Sequence, residues 1–115
     1  MAKKIQNSLF YVEFPSSSLV NTKTFYESAF GWTFEYYGPD YIAFEDGQLA
    51  GGFYYDEIKK AGIPLMVLWS DNLENTQALI KSVGGIISTP IFSYPRGRRF
   101  HFTDPTGNEL SVCSE

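Results

Sequence analysis

The residues of this sequence that could do chemistry are concentrated towards its C-terminal end. His101 is the only histidine, and it stands between Phe100 and Phe102 on a predicted strand. Because side chains alternate between the two faces of a strand, phenylalanines that face the helices would leave His101 and Arg99 on the opposite face. There the imidazole could serve as a general acid or base, or donate a hydrogen bond to a ligand. A structural histidine near the edge of a sheet is the alternative interpretation.

Three arginines, Arg96, Arg98 and Arg99, fall within four positions of the same region. A guanidinium group can bind a carboxylate or a phosphate through two parallel hydrogen bonds, so one of these side chains could hold an anionic ligand. The alternative is a solvent-exposed loop whose arginines pair with nearby acids. The cluster by itself does not indicate nucleic-acid binding.

Two carboxylates are expected on the same surface as His101. By alternation, Glu13 and Glu109 face the concave side of the first and last strands, where either could be a general base or a partner of Arg99. His101, Glu13 and Glu109 are therefore the catalytic candidates, and none is assigned. A cleft with apolar and aromatic walls suits a flat or hydrophobic organic ligand. A surface filled by its own side chains, or closed by a partner chain, is the alternative. The predicted cleft residues are Tyr11, Glu13, Leu65, Val67, Trp69, Arg99, His101 and Ser111.

Composition limits the classes of protein that this chain can belong to. With 115 residues it is expected to form a single domain, since two separately cored halves would each be too small. A net charge of −4 opposes a nucleic-acid partner, and no apolar run is long enough to span a membrane. The N-terminal lysines lack a following apolar segment, so no secretory signal is expected. Cys113, the only cysteine, excludes an internal disulfide and is interpreted as a small buried residue rather than a nucleophile. A cytoplasmic protein is predicted.

An internal repeat sets the order of the elements. Leu19-Val20-Asn21-Thr22 returns 54 positions later as Leu73-Glu74-Asn75-Thr76, and Leu49 corresponds to Leu110 at an offset of 61. Each copy predicts a strand, a helix and then three strands. The strands are predicted over 9–14, 32–37, 41–45, 48–54, 65–70, 86–92, 98–103 and 109–113, with Pro90 marking an edge or a bulge.

Two helices are predicted to bury one apolar side each. The first begins near Leu19 and ends at Gly31 in a left-handed cap, and the second begins after Asp71 or Asn72 and ends at Gly84-Gly85. Residues spaced three and four apart form a single stripe along a helix, which is the side expected to pack on a sheet. The predicted stripes are Leu19, Thr22, Phe25, Tyr26 and Ala29 in the first helix, and Leu73, Leu79, Ile80 and Val83 in the second.

Taken in order, these residues resemble the vicinal oxygen chelate superfamily, which contains glyoxalase I, bleomycin-resistance proteins and extradiol dioxygenases. The resemblance implies an α+β fold of paired βαβββ modules, about 8–55 and about 64–114, that form a half-open curved sheet within one domain over 1–115, usually as a homodimer. The features that carry it are Leu19…Phe25-Tyr26…Phe30-Gly31-Trp32, Gly51-Gly52-Phe53, Gly84-Gly85 and Phe102-x-Asp104-Pro105-x-Gly107-Asn108.

The resemblance also implies a divalent metal that acts as a Lewis acid, held by His, Gln or Glu at four strand positions. Counting from the helices and from the Asp-Pro-x-Gly turn places those positions at Tyr11, Ala50, Leu65 and Ser111. None of these is a usual ligand for such a metal. No metal cofactor is therefore predicted, and a divalent metal becomes the expectation only if this register is wrong.

Three functions remain open on the sequence alone. The first is a metal-free protein that binds a small organic molecule in an aromatic-lined cleft, as bleomycin-resistance proteins do within the superfamily. The second is a metal-dependent lyase, isomerase or dioxygenase of the glyoxalase type, or an enzyme that uses acid–base chemistry by His101 and Glu13. The third is a dimeric protein-interaction module whose cleft is blocked.

Overall fold

A computed structural model describes residues 4–58 and 63–115, and these residues form eight strands and two helices. The predicted α+β fold with βαβββ written twice is confirmed. Neither helix in the described ranges has the length and apolar character needed to cross a membrane. The elements are β1 (Ser8–Ser16), α1 (Leu19–Phe30), β2 (Thr33–Tyr36), β3 (Tyr41–Glu45), β4 (Ala50–Tyr55), β5 (Leu65–Trp69), α2 (Leu73–Ser82), β6 (Ile86–Tyr94), β7 (Gly97–Thr103) and β8 (Glu109–Ser114).

The chain divides into two compact units, the first within 11–58 and 63–64 and the second comprising 4–10 and 65–115. In the first unit the strand order is β2-β3-β4-β1, with β1 parallel to β4 and β3 antiparallel to both of its neighbours. Its core is aromatic: Phe44 and Phe53 are buried, and their ring centroids lie 5.4 Å apart. Trp32 stacks on both Tyr26 of the helix and Phe44 of the sheet, which ties α1 to β3.

The second unit repeats this arrangement with a more aliphatic core. The strand order is β5-β8-β7-β6, and β5 is parallel to β8. Leu73 of α2 packs on Phe100 of β7 and Val112 of β8, and all three are fully buried. The edge strand β6 changes register twice against β7, and Pro90 falls in the second irregularity. The prediction that Pro90 marks an edge or a bulge is therefore confirmed on both counts.

Both helices begin with the same polar network, 54 residues apart. The side chains of Ser18 and Asn72 are the N-caps and accept from the backbone N–H three residues on. Two residues before the first cap, the hydroxyl of Ser16 lies 2.8 Å from that of Thr22 in the helix. The second unit repeats this 2.8 Å contact with its equivalent serine and threonine, Ser70 and Thr76. The repeat therefore extends to hydrogen bonds that satisfy the otherwise unpaired N–H groups of a helix start.

The predicted buried stripes are too wide in both helices. Leu19 is buried, but Phe25 is 58% exposed, and the equivalent Leu79 of the second helix is 53% exposed. At 100° per residue a side chain six positions on lies about 120° round the helix, whereas positions three and seven on lie within about 60° of the first residue. Only that narrower side meets the sheet. Ala29 is also exposed, and Val83 follows the end of α2 and is 71% exposed.

Several strand boundaries also differ from the prediction. β1 continues through Pro15 and Ser16, beyond the predicted end of the first strand at residue 14, because its parallel partner β4 extends to Tyr55. The connection between the strands predicted over 86–92 and 98–103 is only Pro95 and Arg96, since β6 and β7 pair as far as Tyr94 and Gly97. Gly31 does end α1 in the left-handed conformation, with φ of 71°. Residues 1–3 and residues 59–62, the latter between the two predicted modules, lie outside the described residues.

The turn between β7 and β8 is built on the carboxylate of Asp104. Its oxygens accept from the side-chain and backbone N–H groups of Asn108 and from the backbone N–H of Thr106. These hydrogen bonds, led by that of the Asn108 side chain, lower the pKa of Asp104 to about 2. The Asp-Pro-x-Gly turn predicted from sequence therefore depends on an ionised carboxylate.

We expect this turn to contribute a pH-dependent part of the stability. A depressed carboxyl pKa stabilises the fold above the ordinary value near 4, and that contribution is lost as the pH falls from about 4 towards 2. Denaturant unfolding of the wild type and of Asp104→Asn should differ at pH 7 and converge near pH 2. Asp46 and Glu74 also have lowered pKa values, so the test is the difference between the two proteins. A difference that does not change with pH would contradict this role.

Candidate functional site

Each unit has a sheet face opposite its helix and core, called here the far face. On the far face of the first unit the hydroxyl of Tyr41 donates to Oε2 of Glu13 at 2.9 Å and lies 2.6 Å from the hydroxyl of Tyr11. The Glu13 side chain is buried. Burial, followed by the negative charge of Glu13, raises the pKa of Tyr41 far above its ordinary value. The Tyr41 hydroxyl is therefore neutral over the accessible pH range, and it donates to Glu13.

Two adjacent glycines of β4 make this arrangement possible. A Cβ on Gly52 would lie 1.9 Å from the Tyr41 hydroxyl oxygen. A Cβ on Gly51 would lie 2.5 Å from both the Phe44 ring and the backbone oxygen of Val12. Since neighbouring strand residues face opposite sides, one glycine admits Tyr41 on the far face and the other admits Phe44 on the core face. The Gly51-Gly52 pair thus has a packing role in the first unit.

The four positions at which the resemblance places a metal do not supply a set of donors for one. Tyr11 and Ala50 are neighbours on β1 and β4. In the second unit Ser111 is beside Val67 and not beside Leu65. The two metal positions of a unit are therefore neighbours across adjacent strands only in the first unit. The Ser111 hydroxyl already donates to the carbonyl of Phe100 at 3.1 Å. Within residues 4–58 and 63–115, no three His, Cys, Asp or Glu side chains are grouped to hold a metal ion. The residues at these positions do not fit the metal site that the resemblance implies.

The far face of the second unit carries most of the predicted cleft residues in two transverse rows. Residues paired across adjacent strands lie side by side and face the same way. Each row runs across the strands in the order β5-β8-β7-β6. The first row is Trp69, Cys113, Arg99 and Phe92, and the second is Val67, Ser111, His101 and Thr89.

Arg99 is held against aromatic rings on this face. Its Cζ atom lies 5.6 Å from the ring centroid of Phe92 and 5.3 Å from that of Tyr94, both within the range of cation–π attraction. Burial, together with the neighbouring Cys113, raises the pKa of Tyr94 to about 12, and its hydroxyl hydrogen bonds the thiol. Cys113 is buried, as predicted, but it contacts a polar group and is not only an apolar filler.

His101 occupies the second row together with a carboxylate at the end of β8. Its Nδ1 atom lies 3.6 Å from Oε2 of Glu109, which also accepts from the hydroxyl of Ser88 at 3.0 Å. The imidazole side chain is 15% exposed, and its ring lies 5.9 Å from that of Phe92. A carboxylate next to one ring nitrogen can orient the imidazole.

Trp69 adds a polar atom to the first row. Its indole Nε1 is buried, and no acceptor within the described part of the chain reaches it. By contrast, Arg98 lies on the opposite side of β7, where its guanidinium pairs with Glu74 of α2 at 2.8 Å. Adjacent arginines of one strand thus have separate roles. Arg96 lies in the exposed turn between β6 and β7.

The predicted site residues therefore divide between the units. Tyr11 and Glu13 belong to the first, while Trp69, Arg99, His101, Glu109 and Ser111 belong to the second. Sequence reasoning missed Tyr41, Phe92 and Tyr94, which position the functional side chains. The spacing of Phe92 and Tyr94, two apart before the basic cluster, is the signal that could have indicated their shared face.

The chain is similar in fold to several proteins of known structure. A sequence model of the Glyoxalase/Bleomycin resistance protein/Dioxygenase superfamily matches residues 8–112. A hypothetical protein from Bacillus halodurans superposes with a TM-score of 0.79 at 12% identity, over 96% of each chain. Methylmalonyl-CoA epimerase from Mycobacterium tuberculosis superposes with a TM-score of 0.77 at 11% identity, over 99% of this chain and 91% of that one. The Mn(II)-bound glyoxalase from Novosphingobium aromaticivorans superposes with a TM-score of 0.68 at 17% identity, over 95% of this chain and 39% of that one. No curated protein sequence matches. These identities establish a shared fold and no shared activity.

Proposed function

The chain belongs to the glyoxalase/bleomycin resistance protein/dioxygenase superfamily, and from that premise we propose that it binds a small organic molecule without a metal, on the far face of its second unit. The observation that carries the proposal is Arg99, whose guanidinium lies over the rings of Phe92 and Tyr94. Aromatic walls with a few fixed polar groups are typical of small-molecule sites.

The four positions at which the resemblance places a metal offer few donor atoms, which supports the proposal that binding needs no metal. Ala50 and Leu65 offer no ligand atom, and the hydroxyls of Tyr11 and Ser111 take part in hydrogen bonds within the protein. A catalytic metal needs at least three protein ligands in a defined geometry. We therefore expect purified protein to retain its ligand affinity after treatment with a chelator.

The test combines metal analysis with a thermal-shift screen of small organic compounds. We expect no stoichiometric Ni, Zn, Fe or Mn, and no change in Tm with chelator. A compound at 100 times its Kd should raise Tm on the order of 10 °C, because it binds only the native state. Stoichiometric metal that is required for binding would overturn the proposal. The homodimer implied by the resemblance is part of the proposal and is measured by light scattering in the same samples.

The two tryptophans report where the ligand binds. Trp69 lies on the far face of the second unit, whereas Trp32 stacks between Tyr26 and Phe44 in the core of the first unit. We expect a ligand to shift the indole N–H resonance of Trp69 and leave that of Trp32 unchanged, with Trp69→Phe supplying the assignment. A shift confined to Trp32 would contradict the proposed location.

A second candidate function is acid–base catalysis by His101. It is favoured by the 3.6 Å separation between His101 Nδ1 and Glu109 Oε2, with Ser88 holding the same oxygen. A carboxylate held beside the imidazole in this way would help His101 to exchange a proton with a bound molecule. The two functions are separated by incorporation of solvent deuterium into the compounds that bind. Exchange that is lost in His101→Gln while binding is retained would establish the enzyme.

A further inference from the structure

Resting on the homodimer that forms part of the proposed function, we propose that the outer edge of β2 in the first unit is the dimer interface. A second copy of this chain would pair its own β2 with that edge in antiparallel orientation, centred on Phe34. Ligand binding on the far face of the second unit is a separate property, so either can fail without the other.

β2 is the outermost strand of its unit and has an open edge. The strand order is β2-β3-β4-β1, and within the part of the chain that the structure describes only β3 pairs with β2. All of its residues are exposed or half-buried. The edge strand of the second unit, β6, is instead interrupted by two register shifts and by Pro90, which hinder pairing with a further strand. β2 pairs with β3 without such an interruption, so it can accept another strand.

The backbone groups that point outward from β2 follow from its pairing with β3. The N–H of Tyr37 donates to the carbonyl of Tyr41 at 3.0 Å, so these two residues form a hydrogen-bonded pair. Hydrogen-bonded and non-hydrogen-bonded pairs alternate along an antiparallel ladder. The N–H and C=O groups of Phe34 and Tyr36 therefore point away from β3. A strand added at this edge would hydrogen bond these two residues.

The side chains beside this edge are aromatic on the helix side. Trp32, Phe34 and Tyr36 are spaced two apart, and the rings of the first two lie 4.7 and 6.1 Å from that of the buried Phe44. Phe30 of α1 extends the row, because its ring lies 5.9 Å from that of Trp32, and it is 65% exposed. The edge thus combines outward-pointing backbone groups with accessible apolar surface, as in sheets that bind an added strand.

The sequence of this edge is complementary to itself. From Trp32 to Tyr36 the residues alternate between aromatic and polar, and the pattern is the same when it is reversed about Phe34. In a strand pair centred on Phe34, Trp32 is opposite Tyr36 of the second copy, which gives aromatic pairs across the strands. On the other side Thr33 is opposite Glu35 of the second copy, so no two like charges are opposed. The occupant that fits this edge is therefore a second copy.

Charge excludes the other register that would pair most of the strand. Hydrogen-bonded pairs form only between residues whose backbone groups point outward, so the alternative register is centred on Glu35. The two Glu35 carboxylates would then lie directly opposite each other, which destabilises a strand pair. A two-fold axis beside Phe34 satisfies both the backbone groups and the charges, and it gives a closed dimer.

Analytical ultracentrifugation of variants at the edge tests the interface. Tyr36→Pro removes an N–H that points away from β3, so it blocks only an added strand. We expect it to raise the dimer Kd at least about 30-fold, because both copies lose a hydrogen bond and an aromatic pair. Tyr55→Ala is the matched control for Tyr36→Ala, since the tyrosines are 44% and 47% exposed and Tyr55 ends β4, away from the edge. We expect about 10-fold weakening for Tyr36→Ala and less than about twofold for Tyr55→Ala.

Disulfide crosslinking tests the register and keeps every aromatic side chain. Thr33 and Glu35 of the second copy would form a non-hydrogen-bonded pair with Cα atoms about 4.5 Å apart, within the range of a disulfide. We expect a mixture of Thr33→Cys and Glu35→Cys proteins to give a covalent dimer on oxidation, and neither protein alone to do so. The wild type, whose Cys113 is buried, supplies the background. Crosslinking of Glu35→Cys alone would overturn the register centred on Phe34.

The remaining outcomes separate the interface from the proposed function. A dimer that is equally stable in Tyr36→Pro, Tyr55→Ala and wild type would overturn β2 as the interface and leave the homodimer intact. A wild type that stays monomeric at all concentrations would overturn both the interface and the homodimer. In either case the thermal-shift and metal measurements would still decide whether the chain binds a small molecule without a metal.

Discussion

Gly51→Ala is expected to lower the free energy of unfolding by about 3 kcal/mol or more, at the upper end of overpacking effects. The added Cβ would lie 2.5 Å from the backbone oxygen of Val12 and 2.5 Å from the Phe44 ring. The ring can rotate away, but the carbonyl belongs to β1, which pairs with β4 in register at this position. Relief therefore requires the two strands to separate, and chemical denaturation should report the loss.

Gly52→Ala is the matched control, because the three atoms nearest to its Cβ all belong to the end of the Tyr41 side chain. That side chain can move, at the cost of its hydrogen bond to Glu13, so we expect a smaller loss of about 1–3 kcal/mol. Combining Gly52→Ala with Tyr41→Ala should remove most of the additional penalty, whereas combining Gly51→Ala with Phe44→Leu should not. Equal effects of the two glycine substitutions would contradict the close approach of β1 and β4.

Phe100→Ala should have the largest effect among single truncations in the second unit, about 3–5 kcal/mol. The phenylalanine is fully buried and packs with Leu73 of α2 and Val112 of β8, so its removal leaves a cavity at the junction of helix and sheet. Because the free energy of unfolding of a domain of this size is only about 5–15 kcal/mol, the substitution should lower Tm by well over 10 °C.

Phe25→Ala is the control for Phe100→Ala. The sequence predicts Phe25 in the buried stripe of the first helix, but its side chain is 58% exposed, and its ring contacts those of Tyr26 and Phe30. Its truncation should therefore lower the free energy of unfolding by about 1 kcal/mol or less. A loss as large as that of Phe100→Ala would show that the exposed side of α1 is covered, as in the interaction-module hypothesis.

The repeated local order was predictable from the sequence. The cap-forming residues before each helix, the left-handed Gly31 and the Asp104 turn are properties of short segments, and each formed where it was expected. The far-face position of Arg99 and His101 also followed from strand alternation alone. Widths of buried stripes were not predictable in this way, since Phe25 and Leu79 fit the helical period but lie about 120° from Leu19 and Leu73.

The sequence by itself determined the elements, their order and the face on which each candidate residue lies, because these depend on local backbone preferences and on fixed helical and strand periods. Only the tertiary structure decided which side chains meet. Strand register placed Ser111 beside Val67, a bulged edge strand brought Phe92 and Tyr94 to Arg99, and two glycines admitted Tyr41 to Glu13. These contacts join residues 5 to 44 positions apart, and such pairings are set by packing between strands, which no local pattern specifies.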